Sequence, residues 1–178
     1  MNYKKVNYCD GPSFEPSKWN DDLTEKEIET TNCYSYAFNR IESNRDEDDK
    51  LQPGEMSGET YKMYECNEII NKMILDHPYL NKINTIHESI PCDHYRIALV
   101  LDKNGEKKDY HYYRQDKDGN WSHKTGNNKV SNVDASGNII TNPELCDRNY
   151  DKEKNDKYNY NIFCGYFSVP YQGGPFKY

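Results

Sequence analysis

The chain has 178 residues and carries 23 Lys and Arg against 30 Asp and Glu, a formal net charge of −7. That length fits one domain with a modest core, and the acidic balance argues against nucleic acid or an anionic membrane as a partner. Mean hydropathy is low at −1.17, yet 13% of the residues are aromatic, too many for simple disorder. The 17 tyrosines are therefore expected to supply core mass that aliphatic side chains usually supply.

Residues 1–29 contain Pro12 and Pro16 and few periodic apolar positions, so they read as an arm packed on a single domain spanning 30–178. Thr30, Thr31 and Asn32 offer N-caps, after which Tyr34, Phe38 and Ile41 recur at helical spacing, predicting a helix to about Ser43. "SNRDEDDK" reads as a solvated acidic loop, and "QPGEMSG" as a turn punctuated by Pro53, Gly54 and Gly58. Ser57 can cap a second helix, with Tyr61, Ile69, Ile70, Met73 and Ile74 on its apolar face and His77-Pro78 at its end.

After Pro91 the period becomes that of strands. "HYRIALVLD" is nearly continuous apolar sequence, suited to a central strand, and Asn104-Gly105 marks a hairpin. "DYHYYRQD" and "NWSHK" follow as strands joined at Lys117-Asp118-Gly119, then "VSNVDASGNII" as a turn-rich hairpin. Asn155–Asn161 is a polar loop, and "NIFCGYFSVP" is a last strand ending at Pro170. Helices first and an antiparallel sheet afterwards predict an α+β fold.

No apolar run reaches membrane-spanning length, and "MNYKKVNYCDGPS" lacks the apolar stretch of a signal peptide. The expected location is the cytoplasm or the interior of a particle, with no membrane partner. Cys9, Cys33, Cys66, Cys92, Cys146 and Cys164 are scattered and form no C-x-x-C pair, so most are expected to be thiols. A cleaved leader would instead permit up to three disulfides.

One stretch carries chemical interest. In "TTNCYSYAFNRI", Cys33 falls where a helix should begin, and unpaired amides there favour a thiolate and can hold an oxyanion. A buried Cys33 that merely fills space is the competing reading. A nucleophilic cysteine needs an imidazole in reach and a third group that fixes the ring's tautomer. His111 and His123 lie on neighbouring predicted strands and can approach each other across their hairpin.

A helix-start cysteine, a second helix and a histidine-bearing sheet resemble papain-like cysteine hydrolases, closest to the NlpC/P60 and CHAP branch. The order of elements is similar from about Thr30 to Val169, while the residue likeness rests on "NCYSYAFN" and "DYHYYRQDKDGNWSHKTG". The resemblance implies a peptidase or amidase that cleaves an amide bond through a thioester, with a peptide or protein substrate and no cofactor. By it, Cys33 is the nucleophile, His111 the general base and His123 the orienting group. Members often place the base at the head of a strand, which would make His94 the base and His111 the third member. Asp134 or Asn132 could replace His123. The alternative is a non-catalytic interaction module, host-directed or particle-associated, whose tyrosines suit a binding surface.

Two metal readings fare worse. The calcium-loop pattern on "DKDGN" would place Arg114 at its first ligand and Thr125 at its bidentate acid, so a hairpin turn explains it better. Zinc held by Cys33, His111 and His123 has suitable ligand types but no short-range ligand pair. No metal is therefore expected.

Overall fold

The computed structural model describes residues 10–46, 48–103, 108–150 and 158–173, and the backbone of 176–177. In chain order the elements are α1 (Pro16–Asn20), α2 (Glu25–Thr30), α3 (Cys33–Ala37), β1 (Arg40–Ile41), α4 (Cys66–Asp76), β2 (Asn81–Ile83), β3 (His94–Asp102), β4 (Asp109–Gln115), β5 (Trp121–Lys124), β6 (Val130–Ser131), β7 (Ile162–Pro170) and β8 (Phe176–Lys177). The class is α+β. Six strands form one antiparallel sheet in the order β2-β7-β3-β4-β5-β6, and β1 pairs with β8 in parallel.

The sheet follows from alternation. On β3, Tyr95, Ile97, Leu99 and Leu101 enter one apolar cluster with α3 and α4, while Ala98 and Val100 enter a second on the opposite face. On β4, Tyr110 and Tyr112 face the helices and Tyr113 faces away. Tyrosine does supply much of the core, since Tyr34, Tyr36, Tyr112 and Tyr113 are fully enclosed. The second face is covered by the segment after β6, pinned where the Trp121 amide donates to the Ile140 carbonyl at 2.8 Å.

The residues ahead of α3 hold two short helices. Thr24 and Glu27 form a reciprocal capping box at α2, and Trp19 and Leu23 pack with Tyr36, Ile41 and Val130. Helix α3 stops well short of Ser43. Asn39 adopts a left-handed φ of 56°, and Arg40–Ile41 leave the helix to pair with Phe176–Lys177. Helix α4 begins at Cys66 with Glu65 at its cap, so Ser57 caps nothing helical. The Ser57 amide instead donates to Asp76 Oδ1 at 2.9 Å, and Tyr61 lies outside the helix against Tyr110. The hairpin expected at Asn104-Gly105 lies outside the described residues, although β3 and β4 on either side pair with Asp102 opposite Asp109.

The expectation of reduced cysteines is corrected. Cys66 and Cys164 form a disulfide with Cα atoms 5.2 Å apart, because the first residue of α4 lies over β7. Cys92 is also disulfide-bonded, while Cys33 and Cys146 are free thiols.

Candidate functional site

Cys33 is the first residue of α3, as the capping run suggests. The Asn32 side chain accepts from the Ser35 amide at 3.0 Å and donates to the Leu51 carbonyl at 2.7 Å, fixing this turn against the loop that follows. The thiol lies inside the helix-side cluster, 3.9 Å from the Tyr110 carbonyl, with the backbone of Tyr112 and Tyr34 also near it. Burial first, and then the charge of Asp109, push it up to about 12. Loss of hydration outweighs the amides of a five-residue helix.

Gln52 links two of the tyrosines on the helix side. Its Oε1 accepts from the Tyr110 hydroxyl at 2.8 Å and the Tyr61 hydroxyl at 3.1 Å, and its Nε2 donates to the Lys50 carbonyl. Lys124, which sequence reasoning passed over, is enclosed on β5 and donates to the carbonyls of Ile28 and Gly126 at 2.6 and 2.8 Å. Burial, aided by Lys50, lowers it to about 7.

The histidines lie on the other face of the sheet. His111 alternates with Tyr110 and Tyr112, so its ring points away from Cys33 and stacks on Tyr160, 5.1 Å between centroids. His123 is opposite Tyr113 in the β4–β5 pairing, and its ring stacks on Tyr113 at 5.1 Å. His111 Nε2 and His123 Nδ1 are 2.8 Å apart. His123 Nε2 is 3.0 Å from the Val133 carbonyl, which can only accept. That contact places the His123 proton on Nε2 and leaves Nδ1 to accept from His111 Nε2–H, one directed chain of two donors.

The structure thus brings His111 and His123 together and brings neither to Cys33. His94 offers no substitute. It alternates with Tyr95 on β3, away from the helices, and its Nδ1 contacts Ser168 Oγ at 3.3 Å. Asp134 is held by its own turn, Oδ1 accepting from the amides of Ser136 and Asn138 and Oδ2 from that of Asp147. His123 is oriented by the Val133 backbone rather than by Asp134 or Asn132.

Burial lowers His111 well below the usual imidazole range, with the neighbouring His123 adding to it, and burial lowers His123 to about 4. Both rings are neutral at pH 7. Three tyrosines complete their enclosure. Tyr113 flanks both rings, Tyr150 lies 6.1 Å from His123, and the Tyr160 hydroxyl donates to Asp109 at 2.7 Å. Tyr150 and Tyr160 come from outside the strand that bears His111, and no sequence spacing places them there. Among the described residues, no three His, Cys, Asp or Glu side chains converge as a metal-binding group.

The imidazole pair thus sits in an aromatic enclosure on one face of the sheet, and the buried Cys33 thiol sits on the other. No protein-family model matches the chain, and no solved structure matches it. The chain is 35% identical over 135 residues to insoluble matrix shell protein 1 of Ruditapes philippinarum, an alignment covering 76% of this chain and 80% of that protein. The chain belongs to the family of that shell matrix protein.

Proposed function

We propose that this chain is a non-catalytic, disulfide-stapled component of an extracellular protein matrix. The observation that carries the reading is the placement of Cys33 and the histidine pair on opposite faces of one sheet. Amide hydrolysis through a Cys33 thioester, the activity implied by the papain-like resemblance, needs the thiol and its base on one face. Here the thiol is buried with a raised pKa, and its hydrogen-bonding contacts are backbone groups, the Tyr110 carbonyl among them. The disulfide between Cys66 and Cys164 supports an oxidising, extracellular setting. The family relation supports a place in an insoluble matrix.

The experiment is a retention assay with the oxidised, folded protein on the acid-insoluble organic residue of mollusc shell. The protein is expected to stay bound through high-salt washes that remove an acidic control protein of similar size. Washing out with the control would overturn the matrix reading. Thiol-dependent turnover of a peptide amide, lost in Cys33→Ala, would restore the hydrolase.

A further inference from the structure

We propose that the His111–His123 pair is an acid-released latch that holds the segment from Asn132 through Tyr150 on the outer face of the sheet. The segment is tied at one end by the His123 Nε2 contact to the Val133 carbonyl at 3.0 Å. It is tied further along by the backbone bond from Trp121 to Ile140, and the bond from Ile140 to Asn132 folds the segment on itself. Tyr150 and Tyr160 then close over the two rings.

The directed chain makes the latch sensitive to protons. Between His111 Nε2 and His123 Nδ1 there is one hydrogen and one lone pair, 2.8 Å apart. A proton added at His123 Nδ1 sets two N–H groups head to head, unless the proton enters at His111 Nδ1 while the His111 Nε2 hydrogen passes to His123 Nδ1, leaving His111 Nε2 to accept. A second proton removes that escape and leaves two imidazolium ions side by side in an aromatic enclosure.

The surrounding groups offset only part of that charge: the Val133 carbonyl and the Asp134 carboxylate favour a charged His123, and burial outweighs both. From β4, Asp109 is engaged by Tyr160, and Tyr113 is a neutral phenol. From β3, the residue opposite His111 is Val100. From the covering segment, Asp134 is engaged by three backbone amides. Arg148 there is positive and bonded to the carbonyls of Tyr160, Pro143 and Glu144, and Cys146 is a neutral thiol beside the Pro143 carbonyl. Release follows as both rings charge, and it frees the segment while leaving the helix face closed.

Among the described residues, the two free thiols report on the two faces, since Cys146 lies in the covering segment and Cys33 begins α3 on the helix side. The experiment follows their reaction with 4,4′-dithiodipyridine between pH 7 and pH 4, each rate divided by that of free cysteine at the same pH. The Cys146 ratio is expected to rise by roughly tenfold or more in acid while Cys33 stays protected, the pattern of a local opening. In folded His111→Gln/His123→Gln protein, which retains His77, the Cys146 ratio is expected to be independent of pH. Three results would each overturn the latch: Cys33 and Cys146 opening together, no rise at Cys146, or an undiminished acid opening in the double variant. The wild-type comparison of the two thiols decides the matter even if the double variant does not fold.

Discussion

Arg114 and Asp116, two apart at the end of β4, are both enclosed, and Arg114 Nε and Nη2 reach the same Asp116 oxygen at 3.2 and 2.9 Å. The guanidinium also lies over the Tyr36 ring, 4.0 Å from its centroid, and donates to the Tyr36 hydroxyl and the Ser13 carbonyl. One side chain therefore ties the sheet to α3 and to the chain ahead of α1. Arg114→Ala leaves a buried carboxylate without its cation, and the expected cost is about 3–5 kcal/mol in urea unfolding. Arg114→Lys recovers only part of this, because a single ammonium cannot serve all these acceptors.

Cys33 is expected to remain unlabelled when the folded protein meets iodoacetamide at pH 6 to 8, and to label fully in denaturant. Its thiol, pushed up to about 12, has almost no thiolate at those pH values. Peptide mapping by mass spectrometry reads the outcome. Rapid labelling of Cys33 at pH 6, abolished by His111→Ala, would contradict the placement of these two residues.

Stability is expected to fall as pH drops from 7 to 5. His123 and His77 are each lowered to about 4, mainly by burial. An imidazole whose pKa is depressed on folding contributes stability that is complete above the unfolded value near 6.5 and is lost as pH falls toward the folded one. Each should cost about 2 kcal/mol between pH 7 and 5, and His111, lowered by burial and by His123, acts with the same sign. Asp109 and Asp116, raised by burial, act in the opposite sense. The difference between wild type and His77→Gln in urea unfolding at the two pH values isolates one imidazole, and a flat difference would refute the assignment.

Replacing Cys66 and Cys164 by alanine opens a loop with a sequence separation of 98. Chain-entropy reasoning puts the loss at about 4.7 kcal/mol. A guanidinium midpoint unchanged from wild type would show that packing of α4 on the sheet already does what the bond does.

The strands were the most legible part of the sequence. "HYRIALVLD" forms β3 from end to end, and "DYHYYRQD" and "NWSHK" contain β4 and β5, because apolar runs and tight turns are local signals. Helix α3 was misread at its end because the left-handed turn at Asn39 is fixed by contacts from afar, its side chain donating to the Gly173 carbonyl and accepting from Arg114. The meeting of His111 with His123 followed from the hairpin. Their separation from Cys33 did not, because Tyr110, His111, Tyr112 and Tyr113 can line either face of β4, and only the docking of α3 decides which. The disulfide was unreadable for a similar reason, since nothing local connects a helix start with a strand so distant in sequence.

The bond between Cys66 and Cys164 encloses β2, β3, β4, β5 and β6 within a single covalent ring. A protease that nicks any turn in that ring produces no separate fragments, because both pieces stay chained through sulfur. A singly nicked molecule should therefore keep the mass of the intact chain plus one water until a reductant divides it in two. Damage within most of the sheet would thus release no material from whatever assembly holds the protein.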